Sequence, residues 1–319
     1  MSGVVVRRAG GGLAVTREHG IHYGMERPPS RWPLRRVLCP DGRPPSDTAT
    51  TRSAVGWCAS EFVALVVALT LFPARDESHN RPGSIGSPVQ RDITLEELLK
   101  LLLTSGGITN LSIRSALVEL LGKPIAECSA LCIPTAQWGH PMCGPASVRR
   151  FVVGESPSLM CGLGWESVGV LELLALPSIG EERWVPWVRE ADVLLVDGGD
   201  ATYLCHWMQQ SGLAELLPSL SETVWVGVSA GSMVMTPRIG EEFVEWPSAP
   251  DDCTLGVVDF SIFPHLDHEM MPKNTLAEAQ RWAVEVGGPA YAIDDQTAIK
   301  VTDGAVEVVS EGQWKQLAS

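Results

Sequence analysis

The chain has 319 residues, 45% of them hydrophobic and 19% charged, enough for one large α/β domain or two small ones. Its formal net charge is −14, and its second half holds no Lys/Arg cluster, which argues against nucleic acid as a partner. The eight cysteines are scattered without a Cys-x-x-Cys pair, so a reducing, cytoplasmic setting is expected and a metal site is not.

Residues 1–91 differ from the rest. They carry 12 Arg, no Lys and 7 acids, a net of +5, and are broken by Pro28-Pro29, Pro44-Pro45 and Gly10-Gly11-Gly12. No helical or strand period is sustained before Ser53, so this tract is expected to be a low-order extension. The apolar run within residues 53–72 falls short of a bilayer span, and membrane association is not expected. Residues 92–319 hold 12 basic and 31 acidic residues, a net of −19, and are expected to form the folded domain.

In that domain Leu99 to Thr104 reads as a first buried strand, followed by the loop Ser105-Gly106-Gly107. Ile113, Ala116, Leu117 and Leu120 form a helical stripe. Ala130 to Ala136 and Val168 to Leu176 read as the second and third strands, with helices expected over 141–152 and 183–190. Asp192 to Asp197 is a strand that ends in Gly198-Gly199-Asp200. A helix follows over 203–217, with a break near Gly212. After the strand at 224–228 come an extended segment at 255–264, a helix over 275–286 and a C-terminal hairpin, 297–301 with 306–309, turning at Asp303-Gly304. Near-continuous apolar strands alternating with helices predict a mostly parallel sheet covered on both faces. Ligands of such sheets bind outside the carboxyl ends of the strands, where the three glycine-containing loops would gather.

The strand at 224–228 runs into Gly227-Val228-Ser229-Ala230-Gly231, the spacing of a nucleophile elbow. A tight strand-to-helix turn projects the serine hydroxyl from the sheet, and the dipole of the following helix would favour a developing oxyanion. A hydroxyl needs a base to act as nucleophile at neutral pH. The folded part offers His140, His206, His265 and His268. His265 is expected to be the base, because it ends the apolar run Phe260 to Pro264 and so stands at a strand end on the same edge. An acid should orient that base. Glu241 and Glu242 are the first candidates, with Asp259 and Asp267 as others. The backbone N–H of Ala230 and one from Gly198-Gly199 are expected to hold the oxyanion, with Asp200 beside the substrate.

The Gly198-Gly199-Asp200 turn, Gly227-Val228-Ser229-Ala230-Gly231-Ser232 and Phe263-Pro264-His265 together resemble the dipeptidase E family of serine peptidases, to which cyanophycinases are related. The resemblance extends from about Leu98 to the end. It includes the opening Leu103-Thr104-Ser105-Gly106-Gly107 and the closing Tyr291-Ala292-Ile293-Asp294-Asp295-Gln296-Thr297-Ala298. It implies a flavodoxin-like sheet related to class I glutamine amidotransferases and a Ser–His–acid site without a cofactor, Ser229 being the nucleophile and His265 the base. Short peptides are the implied substrates, with N-terminal Asp-X dipeptides first and isoaspartyl or cyanophycin-like peptides as the alternative. A degenerate, non-catalytic binding protein is the rival outside enzymes. One departure is Asp200, where the family's glycine turn commonly ends in Asn, so that substrate polarity is expected to differ. The family's acidic triad member does not align by spacing, which leaves Glu241 and Glu242 open.

Overall fold

The computed structural model describes residues 99–317; the tract 1–91, with its apolar run, lies outside the described residues. The first five strands are β1 (Lys100–Thr104), β2 (Ser129–Ile133), β3 (Ser167–Val170), β4 (Val193–Val196) and β5 (Val224–Val228). The next five are β6 (Ser261–Phe263), β7 (Ala290–Ile293), β8 (Thr297–Thr302), β9 (Ala305–Ser310) and β10 (Trp314–Leu317). Seven of them form one sheet in the order β3-β2-β4-β5-β1-β8-β9. The run from β3 to β1 is parallel, and β8 and β9 close it antiparallel. This is the flavodoxin-like α/β architecture that the strand pattern predicts.

The continuous apolar runs reflect burial on both faces. Leu102, Val193, Leu195, Val224 and Val226 face one core, closed by α1 (Leu111–Leu121) and α2 (Pro145–Val152). Leu101, Leu103, Leu194, Val196 and Trp225 face the other, closed by α3 (Glu181–Arg189) and α4 (Ala201–Ser211). Every member of the predicted stripe on α1 is buried. Asn110 caps this helix by accepting from the amide of Ile113, and left-handed Gly122 ends it.

Three segments depart from expectation. Strand β2 stops at Ile133, because Pro134 has no N–H to continue a ladder. Strand β3 is short and pairs only with β2, and the chain then turns inward over Leu173–Ser178 to bury Leu173 and Leu176. Residues 255–258 are not strand. Their amides bond the backbone of 234–236, and Leu255, Val257 and Val258 enter the core as an irregular loop.

The C-terminal hairpin is no appendage. Strand β8 pairs with β1, Leu103 opposite Ile299, so it completes the central sheet. Its turn at Asp303 and Gly304 has positive φ at both residues, as a tight hairpin requires. A second sheet, β10-β7-β6, packs on α7 (Leu276–Val286) through Phe263, Trp282, Ala290 and Leu317. Among the described residues no helix is long and apolar enough to cross a membrane.

Leu117 has no solvent exposure, whereas Leu111 on the same helix is 76% exposed. Leu117→Ala is expected to cost ~2–5 kcal/mol and Leu111→Ala less than ~0.5 kcal/mol. Urea unfolding midpoints of the two variants check this.

Candidate active site

The elbow sits at the carboxyl end of β5, the centre of the sheet. Gly227 and Gly231 are there for close approach. A Cβ on Gly227 would lie 2.2 Å from the carbonyl oxygen of Gly231, and one on Gly231 would lie 2.4 Å from that of Val196. Between them Ser229 adopts φ 50 and ψ −113, a conformation that L-residues rarely hold. The surroundings over-determine it. Its amide donates to the carbonyl of Thr104 at 3.0 Å, and the Trp225 indole donates to the carbonyl of Gly231 at 2.9 Å. The helix after the elbow, α6 (Ala230–Met233), has four residues. The expected helix dipole is therefore small, and separate amides must serve any oxyanion.

His265 approaches Ser229 from the second sheet rather than from an edge strand of the first, because it follows β6. Its Nε2 lies 2.9 Å from the Ser229 Oγ. Its Nδ1 lies 2.7 Å from Oδ1 of Asp295. The same Asp295 oxygen accepts from the Ser105 hydroxyl at 2.7 Å, and Ser105 Oγ accepts from the amide of His265 at 2.7 Å. His268 Nε2 stands 3.5 Å from the other Asp295 oxygen. Partial burial pushes the Asp295 carboxyl up. The hydrogen bond and charge of His265, then the Ser105 hydroxyl and His268, outweigh it and hold the carboxyl below its ordinary value.

Glu241 and Glu242 are not beside His265. They form an exposed 3₁₀ turn over Glu241–Phe243, and Glu242 lines the far wall of the cavity. Asp259 and Asp267 are exposed and do not bond His265 either. The carboxyl that does is Asp295, which lies in the closing motif. Its signal was positional: strands β6 and β7 are parallel neighbours, with Phe263 opposite Ala292, so residues just past their ends meet. Among the other histidines, His140 lines the cavity wall, while His206 packs against Trp207 and Trp246.

The glycine turn abuts Ser229. A Cβ on Gly198 would sit 3.4 Å from that of Ser229. The amides of Asp197 and Asp200 are held by Ile133 and Ala136 carbonyls, and that of Gly198 by its neighbour's Oδ1. The Gly199 amide is left without an acceptor among the described residues. Ala230, as first residue of α6, likewise has no intrahelical acceptor for its N–H.

Asp200 does not face substrate. It is fully buried, and both carboxyl oxygens are occupied. Oδ1 accepts from the Tyr203 amide at 2.7 Å and the Thr202 hydroxyl at 2.6 Å. Oδ2 accepts from the amides of Glu245 and Trp246 at 2.7 and 2.8 Å. It thereby caps α4 and latches the 245–246 loop to the glycine turn. Asp197, which no sequence reading singled out, lines the cavity floor. Burial pushes its carboxyl up to about 7 against the lowering effect of the Gly198 amide, and Gln137 Nε2 donates to it.

A cavity of about 550 Å³ opens over Ser229, walled by Gly198, Gly199, His140, Phe243, Pro264 and Met271 among others. Fold and site thus define a flavodoxin-like α/β protein with a strained serine at the sheet's carboxyl edge and a His–Asp pair beside it. The chain belongs to peptidase family S51, whose model matches residues 101–309, more than half of the chain, and it is a peptidase. The resemblance carried by its motifs is borne out. A peptidase E-like protein of Listeria monocytogenes EGD-e shares the fold, with a TM-score of 0.52 and 18% identity over 67% of this chain and 99% of that one. A peptidase from an acI-B1 Actinobacterium gives a TM-score of 0.52 and 18% identity over 70% and 95%. No curated protein sequence matches the chain.

Two outcomes follow for the carboxyls. Between the ordinary carboxylate value of about 4 and about 7, the folded protein keeps a proton on Asp197 that the unfolded chain has released. Asp197 therefore makes stability fall as pH rises through this window, by up to ~1.4 kcal/mol per pH unit. Asp197→Asn is expected to remove that slope, read as the difference in urea midpoints of the two proteins between pH 4 and 8. Asp200→Asn, which sets an NH₂ against two N–H or hydroxyl donors, is expected to cost ~1–3 kcal/mol and to raise KM more than it lowers kcat. Chemical unfolding and steady-state kinetics check it.

Proposed function

We propose that this chain is a serine-type peptidase of short peptides, with Ser229 as nucleophile, His265 as general base and Asp295 as the acid that orients it. The observation that carries this reading is the unbroken line from Ser229 Oγ to His265 Nε2 at 2.9 Å and from His265 Nδ1 to Asp295 at 2.7 Å. Asp295 fixes the tautomer that leaves Nε2 free to accept a proton, and its charge stabilises the imidazolium that forms. Ser229 Oγ attacks the scissile carbonyl carbon as His265 takes its proton. The carbonyl oxygen becomes an oxyanion, for which the amides of Gly199 and Ala230 are the available donors. Collapse breaks the C–N bond, and His265 returns the proton to the leaving amine. Water, deprotonated by the same base, then releases the acyl group and restores Ser229.

A cavity of about 550 Å³ suits a peptide of two or three residues better than a folded chain. The resemblance names N-terminal Asp-X and β-linked aspartyl peptides as substrates to set against neutral and basic dipeptides. The reducing, cytoplasmic setting expected from the scattered cysteines belongs to the same reading.

Ser229→Ala is expected to abolish hydrolysis and labelling by a fluorophosphonate with little change in stability. His265→Ala and Asp295→Asn should lower kcat/KM by ~10³-fold or more and ~10²–10⁴-fold. Glu241→Gln, remote from His265, should leave it unchanged. Kinetics on a dipeptide panel decide. Full activity of Ser229→Ala would refute the mechanism, and a loss in Glu241→Gln matching that in Asp295→Asn would return the acid to the 241–242 turn.

A further inference from the structure

The cavity over Ser229 has a one-sided charge. Four carboxyls line it, Asp197, Glu242, Glu245 and Asp295, and among the described residues no Lys or Arg does. The nitrogen bases in its wall are His265, engaged with Ser229 and Asp295, and His140, whose Nδ1 accepts from the Met142 amide. Asp295 is matched by His265. The other three carboxyls enter none of the described ion pairs.

The neighbourhood reinforces this sign. Partial desolvation raises the Glu242 carboxyl, and the charges of Glu285, Asp252 and Glu241 add to this against a lowering backbone hydrogen bond. Behind the lining, Gln137 gives its Nε2 to Asp197, and its buried Oε1 is left with no donor among the described residues. Residues 92–319 carry a net charge of −19, a field that draws cations towards the cleft and repels anions. The backbone that carries these two glutamates is anchored: the Glu245 amide, three residues after Glu242, donates to buried Asp200. Phe243, Met271 and Pro264 give the same cavity apolar surface on which an aliphatic stem can lie.

We propose that this cavity selects peptides bearing an ammonium group on the residue whose carbonyl is attacked, with Glu242 and Glu245 as specificity-determining residues. The inference rests on the peptidase reading of Ser229. It reverses the charge preference that the family resemblance implies: an N-terminal aspartate would bring a further carboxylate to a wall that offers it no cation. That ammonium is the side chain of a lysine, because the α-amine is common to every free dipeptide, Asp-Leu included.

The test uses the full chain and a panel of Lys-Leu, Leu-Leu, Asp-Leu and Nα-acetyl-Lys-Leu. We expect kcat/KM for Lys-Leu to exceed that for Asp-Leu at least ~10-fold. Glu242→Gln and Glu245→Gln should narrow this gap, chiefly through KM for Lys-Leu. A fall from Lys-Leu to Leu-Leu assigns the charge recognised to the lysine side chain and supports the proposal, whereas equal rates on those two, with a fall only on Nα-acetylation, assign it to the α-amine that Asp-Leu shares and overturn it. Calorimetric binding of the same peptides to the Ser229→Ala protein keeps charge selection legible if turnover is absent: tighter binding of Lys-Leu than of Asp-Leu supports it, and equal, reversed or undetectable binding of Lys-Leu overturns it. Hydrolysis of Asp-Leu as fast as Lys-Leu overturns the charge preference alone. Hydrolysis that survives Ser229→Ala overturns the reading of the site instead.

Discussion

The site depends on two residues at the end of β1 that do no chemistry. The Thr104 carbonyl accepts from the Ser229 amide at 3.0 Å and the Ser232 hydroxyl at 2.8 Å, and the Thr104 hydroxyl donates to the Gly227 carbonyl at 2.6 Å. These bonds hold the elbow in a backbone conformation that a serine would otherwise leave. Ser105 faces the other way. Its hydroxyl accepts from the His265 amide and donates to Asp295. One dipeptide thus joins Ser229 of the central sheet to His265 and Asp295 beside the second. Both side chains are fully buried. A lost partner there would leave a buried polar group unmatched, at ~1–3 kcal/mol each, so the two sheets have little freedom to slide.

Most of the central sheet was legible in the sequence because its residues obey local rules. An apolar run bounded by Gly or Pro reads as a buried strand whatever its neighbours are, and the stripe on α1 follows from helical period alone. The elbow was legible from its local spacing, and Gly227 is forced by a contact with Gly231 four residues on, although the contact that forces Gly231 comes from Val196 on the neighbouring strand. What escaped was non-local. Residues 255–258 look like strand by composition, but their amides are spoken for by the backbone of 234–236. The hairpin was visible, yet its place beside β1 is a matter of sheet order, which no period encodes.

The carboxyl beside His265 shows the same division. Glu241 and Glu242 lie close after the elbow in sequence, and proximity in sequence favoured them. Asp295 is 30 residues from His265, and only the pairing of β6 with β7 makes them neighbours. Asp200 illustrates the converse. Its position in a glycine turn beside the nucleophile suggested a role with substrate, but its carboxyl points into the protein, where four donors meet it. A sequence gives a residue's place in a loop; it does not give the side of the loop to which the side chain turns.

Two carboxyls in one cavity end with opposite preferences, and the cause is how far burial is offset by the groups around each. Asp295 receives an imidazole and a hydroxyl, and these hold it ionised despite its partial burial. Asp197 is more deeply buried, and burial prevails over the donors it has, the Gly198 amide and Gln137 Nε2, so its proton is retained to about 7. The fold can tolerate Asp197 under the oxyanion turn because, over much of the acidic range, it is neutral. Above that range it adds a negative charge to a wall already lined by Glu242 and Glu245, close to where a tetrahedral intermediate would also be negative. That charge would oppose the oxyanion, and among the described residues no Lys or Arg lines the cavity to add to the imidazolium that His265 would carry. A substrate that brings its own positive charge answers both the empty side of the cavity and the electrostatic demand of the reaction.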